Sequence, residues 1–249
     1  MGLNATMQDA LPDHQSLTHA HQDNAAYACM VESMDENIGR ILGRVKSLGL
    51  EQDTLIVFLS DNGGLSTGSG AMSPTSCFPL RAGKAWVYEG GIRSPLIIKL
   101  PGVVKAGQQI AEPAISTDIY PTILQLAGLP LRPEQHLDGV SLQPLLIGKK
   151  ESLDREAIYF HYPHYHHINT MGPAGAVRRG DFKLVEVFET GKVELYNLRD
   201  DIGEQHDLAT EMPELAEELT RLLHDWREMS GAVMPVAHPD YTPANDYRQ

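Results

Sequence analysis

A chain of 249 residues with 42% hydrophobic content is long enough for one large core, or for a core with a small appendage. Its net charge of -13 argues against nucleic acid, whose phosphates demand a basic face, and it repels polyanions at long range, so any anionic substrate has to be met by local cations. Two cysteines, Cys29 and Cys77, make no disulfide scaffold, and no apolar run approaches the roughly 18 residues of a membrane span.

Residues 1–22 are polar and aperiodic, contain His14, His19 and His21, and read as a flexible lead-in. The start has no basic n-region and no apolar h-region, so no signal peptide is expected and the compartment stays open. The sequon at Asn4-Ala5-Thr6 is taken as chance. A helix follows. Tyr27, Met30, Val31, Met34, Ile38, Ile41, Leu42, Val45 and Leu48 recur at three- and four-residue steps, with Asp23 or Asn24 as cap and Gly49 as stop. Cys29 sits at the edge of this stripe and reads as a packing thiol.

Leu55 to Leu59 is an unbroken apolar run ended by Ser60-Asp61-Asn62-Gly63-Gly64, the pattern of a buried strand in a parallel sheet. Ligands bind beyond the carboxyl ends of such strands. The Asp61 carboxylate and the Asn62 amide offer hard oxygen ligands to Ca2+ or Mg2+ there, although the same residues also suit a plain turn. A loop rich in Gly, Ser and Thr leads to Pro79-Leu80-Arg81-Ala82-Gly83-Lys84, and Tyr88-Glu89-Gly90-Gly91-Ile92-Arg93-Ser94-Pro95 follows.

In order and spacing, SDNGG at 60–64, PLRAGK at 79–84, YEGGIRSP at 88–95 and LIIKLPG at 96–102 resemble the sulfatase family of the alkaline-phosphatase-like superfamily. The resemblance implies an α/β fold: a partial doubly wound sheet over residues 23–149, a small antiparallel-sheet subdomain with one helix over 150–230, and an irregular tail over 231–249. It implies that Asp61 and Asn62 ligate a divalent cation, usually calcium, and that Lys84 contacts the sulfate group and is catalytic. It implies a hydrolase of carbohydrate or aryl sulfate esters. A phosphoryl hydrolase of the same superfamily and a non-catalytic binding module stand as alternatives.

The resemblance covers only the C-terminal part of a sulfatase. The family's formylglycine nucleophile, acidic metal-ligand pair and further sulfate contacts are expected in a missing N-terminal half. Cys77-Phe78-Pro79-Leu80-Arg81 has the C-x-P-x-R form that marks the modified cysteine in sulfatases. In the family, however, that motif lies upstream of the DNG strand, so Cys77 is expected to stay a thiol. Arg81 is equivocal, and Arg93 is expected to pair with Glu89.

Farther on, Ser116 to Gly128 reads as a capped helix in which Asp118 is a cap and not a catalyst. Short strands are expected near 157–160, 175–178, 182–188 and 193–196, with turns at Gly180-Asp181 and Thr190-Gly191. The last helix starts at Pro213 and carries Leu215, Leu219, Leu222, Leu223, Trp226 and Met229 on one stripe. Between the first two strands lies His161-Tyr162-Pro163-His164-Tyr165-His166-His167. A zinc site, an exposed loop and a substrate-pocket loop compete here. The last reading uses His161 and His164 as hydrogen-bonding partners of a sugar, as the resemblance to a subset of sulfatases implies.

Overall fold

The computed structural model describes residues 6–7, 18–68, 73–236 and 238–240. Its elements in chain order are β1 (Thr6–Met7), β2 (Thr18–His19), α1 (Ala25–Ser47), β3 (Ile56–Leu59), α2 (Glu89–Ile92), β4 (Leu96–Lys99), α3 (Ile119–Leu126), α4 (Gln143–Leu146), β5 (Ile158–Tyr162), β6 (Ala174–Arg179), β7 (Phe182–Val187), β8 (Lys192–Asn197) and α5 (Pro213–Ser230). They form two compact units. The first comprises Met1–Tyr27, Asn62–Ser94 and Ala157–Gln249, and the second Ala28–Asp61 and Pro95–Glu156.

The first unit is built on the antiparallel sheet β5-β6-β7-β8. Gly180 (φ 60°) and Gly191 (φ 66°) supply the left-handed turns between β6, β7 and β8, where the sequence placed them. Side chains alternate across the sheet. On one face Val177, Leu184 and Leu195 pack with Ala216, Leu219 and Leu223 of α5. On the other face Ala176, Val185 and Tyr196 pack with Ala82, Trp86, Val87 and Tyr88. The sheet is therefore covered on both sides, and the cover of its second face is the stretch that contains Lys84. Helix α5 begins with Pro213 at its first turn and ends at Gly231 (φ 64°), where the Ala232 N–H reaches the Arg227 carbonyl at 3.0 Å.

Within the lead-in, β1 and β2 pair antiparallel, Thr6 opposite His19; His14 lies outside the described residues, and His21 is exposed. Residues 232–236 have no regular structure, and 241–249 lie outside the described residues.

The Asn24 Oδ1 accepts the Tyr27 N–H at 3.0 Å and starts α1, and Gly49 (φ 71°), in the second unit, ends it. The apolar stripe is present, but α1 buries no residue: Met30 is 69% and Ile41 64% exposed. Cys29 is exposed too, which corrects its reading as a packing thiol.

The expected buried parallel strand is also corrected. β3 pairs antiparallel with β4, Ile56 opposite Lys99 and Leu59 opposite Leu96, and it is only partly buried. The chain that leaves β3 returns beside its end, where the Ser60 N–H meets the Pro95 carbonyl at 3.4 Å, so β4 must run back along β3. An unbroken apolar run is compatible with either direction. The core of this unit gathers Leu142, Leu145, Leu146 and Leu153, with Ile98, Val104 and Leu126 against them. Asp118 stands at the N-cap of α3, but its carboxylate makes no hydrogen bond to that helix's first turn and reaches back and across instead. Its buried carboxylate accepts the Ile115 and Val140 N–H groups at 2.9 Å and an Arg155 N–H at 2.8 Å.

Candidate active site

Three glycine-bearing segments of the first unit cross here at backbone contact distance. The Gly63 N–H donates to the Gly91 carbonyl (2.8 Å), the Lys84 N–H to the Gly64 carbonyl (2.9 Å) and the Gly90 N–H to the Arg81 carbonyl (2.8 Å). The sequence has no choice at the crossings. A Cβ on Gly63 would lie 1.7 Å from the Gly90 oxygen, and one on Gly91 would lie 2.0 Å from the Trp86 oxygen. The glycines of the three motifs thus serve close backbone approach, and the crossing brings the segments carrying Asn62 and Lys84 side by side.

The Lys84 side chain is exposed, and its ammonium has no ion-pair partner among the described residues. Asn62 is half-buried. Asp61, joined to it by a peptide bond, is exposed and ends the first segment of the second unit. Cys77 donates weakly from Sγ to the same Gly64 carbonyl, at 3.7 Å. For a hard cation Asp61 and Asn62 supply two oxygen donors of the right chemistry, whereas Ca2+ takes about 6–8. No group of three or more His, Cys, Asp or Glu among the described residues is placed to hold a metal ion. Their donor chemistry suits a hard cation, and a full shell needs further oxygens.

Under the Lys84 loop lies a buried ionic pedestal that the sequence did not announce. Arg81 stacks over the Tyr88 ring (3.8 Å) and donates to the Tyr196 hydroxyl (2.7 Å) and the Glu204 carbonyl (2.9 Å). The Tyr88 and Tyr196 hydroxyls both donate to Glu194 Oε2, at 2.7 and 2.9 Å. Lys183, wholly buried, bridges Glu89 (3.1 Å) and Glu204 (2.7 Å). Arg93 pairs with Glu89 at 3.5 Å as expected, with Arg178 and Lys183 sharing that carboxylate.

Burial alone would raise the Glu89 and Glu194 carboxyls. Lys183 and two arginines outweigh burial at Glu89, and the tyrosine hydroxyls, Arg81 and Lys192 outweigh it at Glu194, so both lie below the usual carboxylate range. At Glu204 burial prevails over Lys183 and pushes the carboxyl up. Burial likewise pushes the Tyr88 and Tyr196 hydroxyls up, keeping them donors. Tertiary pairing alone reveals these roles, since Lys183 and Glu204 look like ordinary surface residues in their local sequence.

The histidine run divides. His161 lies in β5 and packs between Phe188 and Trp226, with Nε2 2.9 Å from the Val233 carbonyl. His164 is exposed beside Tyr162. Among the described residues, the partners of these two rings are Phe188, Trp226, Val233 and Tyr162, and Lys84 is not one of them. The residues just after them do face that lysine's loop. Asn169 Nδ2 donates to the Ala85 carbonyl (2.7 Å), and the Trp86 indole N–H is shared by Thr67 Oγ1 and the Ile168 carbonyl (3.1 Å each).

The family model described as "Sulfatase" matches residues 4–129, and that described as "N-sulphoglucosamine sulphohydrolase, C-terminal" matches residues 82–229. A sulfatase of Formosa agariphila is 35% identical over 226 residues, 81% of this chain and 39% of its own. The human steryl-sulfatase is 42% identical over 142 residues, 56% of this chain and 24% of its own. The crystal structure of Ps i-CgsB in complex with k-i-k-neocarrahexaose superposes with a TM-score of 0.70 at 32% identity, covering 83% of this chain and 43% of that one. The chain thus spans about two fifths or less of the length of these relatives. Two family models, each matching half of its residues or more, establish that the chain belongs to the sulfatase family.

Proposed function

We propose that this chain supplies the sulfate-contacting cation and part of the metal shell of a sulfatase that hydrolyses sulfate esters of carbohydrates. The observation that carries the reading is the backbone crossing of Gly63, Gly64, Arg81, Gly83, Gly90 and Gly91, which supports a shared site for Asn62 and Lys84. Membership of the family implies a metal cofactor. In our reading the metal is calcium, with Asp61 and Asn62 giving two of its oxygens. Sulfate bears its charge on non-bridging oxygens. A rigidly mounted ammonium meets that charge without reorganising, and the pedestal beneath the Lys84 loop supplies the rigidity. The carbohydrate assignment leans on the sulphoglucosamine model matched by residues 82–229 and on the oligosaccharide bound by the similar structure.

The nucleophile lies outside this set of residues. Cys77 remains a thiol in this reading, and residues 1–249 alone turn over no ester; the formylglycine belongs to the remainder of the catalytic site.

Calorimetric titration of the chain with inorganic sulfate is the direct test. Weak binding that Lys84→Ala abolishes is the expected result, and equal binding by the two proteins removes the reading. Intact-mass measurement after co-expression with a formylglycine-generating enzyme tests Cys77. A conversion there, or hydrolysis of an aryl sulfate by the chain, overturns the placement of the nucleophile.

A further inference from the structure

Past the end of β5 the chain makes a short loop whose far side is tied to the Lys84 segment. His166 and Asn169 form an isolated bridge, the Asn169 N–H donating to the His166 carbonyl at 2.9 Å. The Asn169 side chain is fixed to the Ala85 carbonyl at 2.7 Å, one residue from Lys84, and the neighbouring Ile168 carbonyl is fixed to the Trp86 indole at 3.1 Å. Ile168 and Asn169 are buried, while His166 is only partly so. His166 is thus carried to the Lys84 side of the loop by anchors that do not depend on its own side chain.

The ring has a defined hydrogen-bonding sense. Its Nδ1 accepts the Ile168 N–H at 3.4 Å, so the neutral imidazole carries its proton on Nε2. Among the described residues that Nε2–H has no partner. His167 stacks on the ring at 4.4 Å. Burial, then His167, then Lys84 lower the basicity of His166 and favour the neutral, single-donor form. A cation and a neutral donor on adjoining loops suit a ligand with an anionic group next to a neutral oxygen.

We propose that His166 is a specificity-determining residue of the Lys84 site: Lys84 holds the sulfate group, and the Nε2–H of His166 donates to a neutral oxygen of the sugar that bears it. This rests on the sulfatase reading and names the part of the substrate that the histidine loop inspects. The histidine that serves the sugar is then His166, set by the Asn169 anchor, in place of His161, whose Nε2 is engaged with the Val233 carbonyl.

The test uses the 249-residue chain and three probes: N-acetylglucosamine 6-sulfate, inorganic sulfate and unsulfated N-acetylglucosamine. Affinities are read by NMR, with histidine side chains observed directly. His166→Ala is expected to weaken the sulfated sugar about tenfold, the worth of one hydrogen bond, while inorganic sulfate stays within about twofold. Lys84→Ala is expected to lose both ligands, and in it the His166 titration midpoint is expected to rise. An unchanged thermal transition in His166→Ala confirms that the loop is intact.

If His166→Ala binds the sulfated sugar as well as the parent does, the inference fails while the sulfatase reading survives on Lys84. Equal weakening of inorganic sulfate moves the Nε2–H onto the anion and overturns the sugar assignment. Failure of the parent chain to bind either sulfated probe ends both readings.

Discussion

The β5–β8 sheet and the β3–β4 pair handle apolar surface in opposite ways. The four-stranded sheet is covered on one face by α5 and on the other by the Ala82–Tyr88 stretch, and Val177, Val185, Leu184 and Leu195 are all fully buried. In the second unit, β3 and β4 have no further strand beside them among the described residues, Ile97 of β4 is 60% exposed, and α1 shows a periodic apolar stripe that buries nothing. Hydrophobic periodicity therefore states which face a segment is built to bury, while the cover has to come from tertiary partners.

The largest effect is expected at the pedestal. Lys183→Ala leaves the Glu89 and Glu204 carboxylates buried without their shared cation, and a loss of about 3–5 kcal/mol in the stability of the first unit is expected from chemical denaturation. Leu219→Ala empties a fully buried position between α5 and the sheet, with an expected cost of about 2–5 kcal/mol.

Acid sharpens the contrast further. The Glu89 and Glu194 carboxyls are depressed in the folded state, so their contribution is complete above the ordinary carboxylate range and is lost as pH falls through the folded values. Glu204, raised by burial, runs the other way: folded, it takes up its proton at a higher pH than an ordinary carboxyl, so its contribution to stability grows as pH falls. A fall in unfolding free energy below the ordinary carboxylate range is expected, and Glu194→Gln is expected to make that fall shallower.

At the other end, Ile41→Gln on the exposed stripe of α1 is expected to change stability by no more than about 0.5 kcal/mol. A large loss there would show that α1 finds a partner in solution and would break the comparison.

Much of the candidate site was legible because its residues sit in contiguous motifs. Asp61, Asn62 and Lys84 are nominated by the segments around them, and the glycines of those segments have their explanation in the backbone crossing. The histidine loop was legible only as a loop. His161 belongs to β5, which fixes its ring against Phe188 and Trp226, and the anchor that selects His166 is an asparagine reaching a carbonyl 84 residues away in the chain. Arg81 sits inside a recognised motif, yet its burial over Tyr88 follows from pairing with β8, whose Tyr196 and Glu194 alternate like any other strand residues.

Local chemistry in the sequence determined the helix limits at Asn24, Gly49, Pro213 and Gly231, the turns at Gly180 and Gly191, and the nomination of Asp61, Asn62 and Lys84 as candidates, because caps, left-handed turns and short motifs depend on neighbours within a few residues. Tertiary structure alone decided that β4 runs antiparallel to β3, that α1 leaves its stripe uncovered, that Lys183 joins two glutamates, and that Asn169 ties the histidine loop to Ala85. Each of these depends on which distant segments meet, and no local pattern of polarity encodes that.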